Sequence, residues 1–186
     1  MQKHILLSLI MMPLLSCYAN AQESPEAKKV LIAYFSRSGN TQEIANQIQA
    51  ITGGDIFEIQ LATPYPEDYQ ACVDQAKKEI ESGYKPELKE KIKNIESYDV
   101  IFIGTPNWWS TIAPPVTTFL SELDLSGKTV VPFCTHGGGG KAGCFTDIEK
   151  LCPKSTVLDG LAVSGGNAKN AKTNVEKWLR EIKIVK

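Results

Sequence analysis

The sequence predicts an α/β fold: a three-layer αβα sandwich built on a five-stranded parallel sheet. Three observations carry this reading. Val30–Phe35 and Asp99–Gly104 are almost unbroken apolar runs, the pattern of strands buried on both faces. Segments of helical period alternate with strand-like runs from residue 30 onward. The breaks between them are short and rich in Gly, Pro, Ser and Asn. Five strands alternating with five helices call for a parallel sheet covered on both sides. A length of 186 residues suits one such domain, and 42% hydrophobic residues suffice for its core. A formal net charge of −1 offers no basic face to nucleic acid.

Residues 1–21 read as a signal peptide and residues 22–186 as the folded domain. Lys3 precedes the apolar run Ile5–Leu15, which only Ser8 and Pro13 interrupt. That run is too short to span a bilayer as a helix and fits the core of a secretory signal. Two processing signals overlap. Ala19-Asn20-Ala21 suits ordinary cleavage before Gln22, while Leu14-Leu15-Ser16-Cys17 resembles a bacterial lipobox with Cys17 as the lipidated residue. Either makes an exported protein, periplasmic in the first case and a membrane-anchored lipoprotein in the second.

After the polar lead-in Gln22–Lys29, the first strand is Val30–Phe35. A helix over about Thr41–Ala50 puts Ile44, Ala45 and Ile48 on one face, and Gly53-Gly54 stops it. The second strand, Asp55–Leu61, alternates Ile56, Glu58 and Gln60 with Phe57, Ile59 and Leu61, which suits a sheet edge. Thr63–Pro66 is a stiff connector to a helix over Glu67–Ser82, whose stripe is Tyr69, Cys72, Val73, Ala76 and Ile80. Lys85–Ser97 is charged and irregular, anchored by Leu88, Ile92 and Ile95. The third strand, Asp99–Gly104, is central, and its loop Thr105–Ala113 holds two adjacent Trp. Pro114-Pro115 opens the third helix, with Val116, Phe119, Leu120 and Leu123 inward. The fourth strand is Lys128–Thr135, followed by the Gly-rich loop His136–Gly143. A short helix over Phe145–Leu151, a strand over Thr156–Val163 and a helix over Ala168–Ile182 complete the chain.

In an open α/β sheet, ligands bind beyond the carboxyl ends of the strands, and three of those ends carry unusual loops. The first is Ser36-Arg37-Ser38-Gly39-Asn40-Thr41, a hydroxyl-rich turn ahead of a helix N-terminus, which suits a phosphate and equally suits plain capping. The second, Pro106-Asn107-Trp108-Trp109, offers a flat aromatic surface. The third, Thr135-His136-Gly137-Gly138, lets backbone N–H groups approach a ligand closely. Together they describe a phosphorylated, planar, aromatic ligand. Of the cysteines in the domain, Cys72 and Cys152 lie on core faces of helices, and Cys134 and Cys144 are either free or bridged across the Gly-rich loop.

These segments resemble the flavodoxin-like family. The first loop is similar to its T/S-x-T-G-x-T phosphate motif, with Ser38 where Thr is usual. The strings Y-D-V-I-F-I-G-T-P-N-W-W and P-F-C-T-H-G-G-G-G look like a bacterial subgroup of small flavoproteins of this fold. The resemblance spans Val30 to Trp178. It implies strand order 2-1-3-4-5 and non-covalent FMN. Ser36, Ser38, Gly39, Asn40 and Thr41 would hold the phosphate, with Arg37 at its edge. Pro106, Asn107, Trp108 and Trp109 would border the ring on one side, with one of the two Trp touching it. Thr135, His136, Gly137 and Gly138 would border the other side. The family's carrier members often place a second aromatic in the third loop and are strongly acidic, and this chain does neither.

The resemblance implies an FMN protein that passes electrons to a redox partner protein. A flavin face left open by the Gly loop suits instead an NAD(P)H-dependent quinone reductase, with His136 as the candidate catalytic proton carrier. His136 also fits a plain backbone cap. A flavin-free binding protein is the third reading, since export can leave FMN behind. Other chemistries lack their residues: no G-x-x-x-x-G-K-[ST], no Arg six residues after Cys134, no G-x-S-x-G, and no paired Cys and His for zinc.

Overall fold

A computed structural model describes residues 28–186, so the signal-peptide reading of residues 1–21 and the lipidation reading of Cys17 lie outside the described residues. The apolar runs form the centre of the sheet. β1 (Val30–Tyr34), β3 (Val100–Trp108) and β5 (Thr129–His136) pair in parallel, with Ile32 opposite Phe102 and Phe102 opposite Val131. β2 (Asp55–Glu58), the alternating strand, pairs with β1 at one edge. At the other edge the expected fifth strand is two pieces, β6 (Thr156–Val157) and β7 (Leu161–Ser164), both parallel to β5. Counted as one strand, they complete the order 2-1-3-4-5.

The split has a cause in the packing of the last helix on the strand. Between the pieces the Asp159 carbonyl leaves the ladder and accepts the Trp178 indole N–H at 2.9 Å. A Cβ at Gly160 would also fall 2.7 Å from the Pro132 carbonyl oxygen. β3 runs four residues past the expected Gly104. The Phe35 N–H gives the last bond from β1 to β3, to the Gly104 carbonyl at 3.0 Å. The missing N–H of Pro106 points to the side that β1 has already left, so it costs no ladder bond. β4 (Thr111–Ile112) folds back antiparallel on β3, a hairpin too short to show as periodicity.

Helices cover both faces. α1 (Asn40–Thr52) and α5 (Lys172–Glu181) bury Ile44, Ile48, Val175 and Leu179 against Ile32, Phe102 and Val131. α3 (Pro114–Ser121) and α4 (Cys144–Leu151) bury Val116, Phe119 and Ile148 against Leu31, Ile101 and Ile103. A 3-10 turn at Gly165–Asn170 takes the place of the expected start of α5.

α2 (Tyr69–Ser82) is rotated from the expected stripe: it buries Cys72, Ala76 and Glu79, while Tyr69 is 70% exposed. The buried carboxylate decides the rotation. Glu79 accepts hydrogen bonds from the Tyr65 hydroxyl and, at 2.8 Å, from the Gln75 amide. Burial, and then the Glu79 contact, push the Tyr65 hydroxyl well above its ordinary range.

Gly104 lies in β3 between Tyr34 of β1 and Phe133 of β5. A Cβ there would fall 2.3 Å from Cζ of the fully buried Phe133 and 2.7 Å from Cβ of Tyr34. Gly104→Ala is therefore expected to lower the unfolding free energy by about 1–3 kcal/mol in urea denaturation. Stability equal to wild type would mean that Phe133 turns aside freely.

Candidate functional site

Because β1, β3 and β5 run in parallel and in register, their loops emerge at one edge. In the first loop Gly39 takes φ 83° and its carbonyl accepts the Glu43 N–H at 2.9 Å, which starts α1. The first-turn N–H groups of α1 have no intrahelical acceptor. The Asn40 amide donates to the Ser38 hydroxyl at 3.2 Å. The Ser36 hydroxyl is buried and has no hydrogen-bond partner among the described residues. Thr41, 1% exposed, shares a buried hydrogen bond of 2.8 Å with Thr135, tying the first loop to the end of β5.

Arg37 leaves this group. Its guanidinium donates to the Glu67 carbonyl at 2.8 Å and lies 5.6 Å from the Tyr69 ring centroid, on the α2 side.

The second loop is the two-residue turn of the β3–β4 hairpin. Trp109 and Ser110 take φ 51° and 67°, the signs of a type I′ turn, for which Asn-Gly is the usual choice. Two adjacent non-Gly residues in the left-handed region store strain. The turn points the two Trp apart. Trp108 is half-buried, edge-on to Phe35 at 5.5 Å and to Tyr65 at 5.1 Å between centroids. Trp109 is 52% exposed and turned to α2, where its indole N–H donates to the Val73 carbonyl at 3.3 Å.

In the third loop His136 Nδ1 accepts the Gly138 N–H at 3.2 Å. His136 therefore caps an N–H rather than the carbonyl a lone His often serves, and its proton in the neutral ring is on Nε2. Gly137, Gly138 and Gly139 are exposed.

The second and third loops are strapped together. Asn107 donates to the Gly140 carbonyl at 2.8 Å, and the Gly143 N–H donates to the Ser110 carbonyl at 2.9 Å. The Thr111 hydroxyl donates to Asp147 at 2.6 Å, and the Cys144 thiol to the Thr111 carbonyl at 3.3 Å. Thr111, Gly143 and Asp147 were not read as site residues. Nor was Gly165, where a Cβ would sit 2.6 Å from the Asn40 amide nitrogen. The Gly165-Gly166 pair after the last strand was the signal for it.

Cys72, Cys134, Cys144 and Cys152 are buried free thiols, so the bridged option for Cys134 and Cys144 is not taken. A hydrogen bond with Cys134, and then burial, push the Cys144 thiol far above its ordinary range.

A family model described as flavodoxin matches residues 29–182. A protein from Bacteroides eggerthii described as a flavoprotein superposes with a TM-score of 0.75 at 34% identity, covering 86% of this chain and 99% of that one. A Lactobacillus acidophilus flavoprotein, solved in complex with FMN, gives 0.65 at 27% identity, over 77% of this chain and 98% of its own. An NAD(P)H dehydrogenase (quinone) from Cupriavidus metallidurans is 27% identical over 151 residues, 73% of this chain and 72% of that protein.

The hairpin turn gives a direct test of strain. Ser110→Gly is expected to raise the unfolding free energy by about 1 kcal/mol, read by denaturant titration without added ligand, because glycine adopts the left-handed region freely. A loss of stability would mean that the turn is not strained.

Proposed function

This chain belongs to the flavodoxin family, and on that premise we propose that it binds FMN at the shared edge of β1, β3 and β5 and serves in electron transfer. The observation that carries the reading is the Ser36 hydroxyl, buried without a partner in the loop after β1. Such a group costs roughly 1–3 kcal/mol when left unpaired, and a phosphate oxygen would satisfy it. The neighbouring donors fit the same anion. Of the Thr41 and Thr135 hydroxyls one donates to the other, and the receiving hydroxyl keeps its own proton to give away. Ser38, Asn40 and the first-turn N–H groups of α1 complete the cradle, with the positive end of the helix dipole behind them. With Arg37 engaged on Glu67 and Tyr69, neutral donors hold the phosphate.

Bound FMN would supply one- and two-electron redox chemistry, and the protein the binding, orientation and tuning. Trp108 is the ring-bordering Trp in this reading, because Phe35 and Tyr65 fix its orientation before any ligand arrives. Pro106 and Asn107 flank it, and Thr135, His136, Gly137 and Gly138 border the opposite side. His136, with Nδ1 committed to Gly138, keeps Nε2–H to donate and is the candidate proton carrier. The leader read in residues 1–21 puts this chemistry outside the cytosol, as a periplasmic or lipid-anchored protein.

One observation favours a quinone reductase as the second reading. Gly137–Gly139 is exposed and carries no aromatic side chain, so one flavin face would be open to a hydride donor or a quinone. The similarity to the Cupriavidus metallidurans enzyme supports it. Steady-state oxidation of NADH or NADPH with a quinone separates the two: turnover selects the reductase, and its absence with FMN bound selects the carrier.

FMN binding is tested by the visible spectrum of the purified protein after FMN addition and by Ser36→Ala. The expected result is a bound-flavin spectrum, with Ser36→Ala weakening FMN by roughly 1.5–3 kcal/mol, the range for a hydrogen bond to a charged group. The FMN-free variant should be no less stable than wild type, since it loses an unpaired hydroxyl. An absent flavin spectrum, or unchanged FMN affinity in the variant, would overturn the proposal.

A further inference from the structure

The last strand brings a fourth loop to the edge where the other three meet. β7 ends at Ser164, opposite His136 of β5, and Gly165 opens the 3-10 turn that follows. That turn is held from both ends. The strand pairing fixes Ser164, and the Gln47 amide of α1 donates to the Ala168 carbonyl at 2.9 Å. Ala168 itself is buried in the same core cluster as Ile44 and Ile48 of α1.

Glycine is not required at 165 by its backbone, since the positive-φ glycines of the described residues include neither Gly165 nor Gly166. What sets Gly165 apart is space. A Cβ there would lie 2.6 Å from the amide nitrogen of Asn40 and 3.3 Å from its Cγ. A Cβ at the neighbouring Gly166 would meet nothing within 4 Å. The tip of Asn40 therefore fills the volume that a side chain at 165 would take. At that spot Asn40, the first residue of α1, donates its amide to the Ser38 hydroxyl at 3.2 Å. A serine hydroxyl has one proton to give, and a donor seated on its oxygen turns that proton away from itself. Asn40 thus leaves the Ser38 proton free for an acceptor elsewhere in the loop.

We propose that Gly165 is a positioning residue for phosphate recognition: by carrying no side chain, it lets Asn40 hold the Ser38 hydroxyl in its donating orientation. The inference rests on the FMN reading and deepens it, because it makes the loop after β7 part of what separates FMN from unphosphorylated riboflavin. The clash in Gly165→Ala falls on the movable end of a side chain and not on backbone, so Asn40 swings aside and the fold survives. The Asn40–Ser38 bond is exposed to solvent, and losing it costs the fold little. The consequence lies in ligand selectivity.

The test is fluorescence titration of FMN and of riboflavin into ligand-free wild type, Gly165→Ala, Gly166→Ala, Asn40→Ala and the double variant at 40 and 165. Gly165→Ala is expected to weaken FMN about tenfold, the scale of one hydrogen bond to a charged group, and to leave riboflavin unchanged. Gly166→Ala should bind FMN as wild type does. In the Asn40→Ala background the change at 165 should have no further effect, because the group it displaces is gone. Circular dichroism and urea denaturation should show Gly165→Ala folded, with stability close to wild type. The proposal is overturned if Gly165→Ala does not fold or keeps wild-type FMN affinity, if riboflavin affinity falls by the same factor, if Gly166→Ala loses as much, or if the effect persists in full without Asn40. Wild type that does not bind FMN would overturn the proposed function and this inference with it. Wild type that binds FMN beside an indifferent Gly165→Ala would overturn this inference alone.

Discussion

The parallel, in-register pairing of β1, β3 and β5 is the constraint on which the rest of the molecule depends. It sets Ile32, Phe102 and Val131 side by side in the core. Through those pairs it also sets Ser36, Trp108 and His136 at one edge. A slip of one residue in β1 against β3 would reverse every β1 side chain between the two helical layers. It would also carry the hydroxyl-rich loop away from Thr135. The absence of a side chain at Gly104 permits the pairing, because Tyr34 and Phe133 converge on that point. The Thr41–Thr135 hydrogen bond fixes the distance between the first and third loops.

At that edge, stability and binding are arranged against each other. A buried hydroxyl without a partner and two left-handed non-Gly residues are costs to the protein, and they lie in the loops after β1 and β3. The strap from Asn107 to Gly140 and from Gly143 to Ser110 holds the strained hairpin in position. Such strain persists only where the surroundings over-determine the backbone.

Much of this was legible in the sequence because the strongest signals are long and apolar. Val30–Phe35 and the run from Val100 could only be buried strands, and the period of Ile44, Ala45 and Ile48 could only be a helix face. What escaped was set by single contacts. The expected stripe of α2 omits Glu79, because nothing local shows that Tyr65, fourteen residues earlier, binds its carboxylate. The expected end of the third strand at Gly104 fell short, because β3 continues past Pro106, where β1 has ended and no N–H is missed. The split between β6 and β7 rests on the Trp178 indole reaching the Asp159 carbonyl, a contact between elements. The candidate site was visible as three loops. That Arg37 and Trp109 turn outward while Trp108 turns inward depends on Glu67, Val73 and the Phe35–Tyr65 cluster, which no spacing records.

The central claim is that one ligand spans all three loops. Hydrogen exchange with and without saturating FMN tests it most directly. The expected result is simultaneous slowing of exchange in Ser36–Thr41, Asn107–Ala113 and His136–Gly143, with the N-terminal ends of β1, β3 and β5 unchanged. Protection confined to one loop, or none at all, would contradict it.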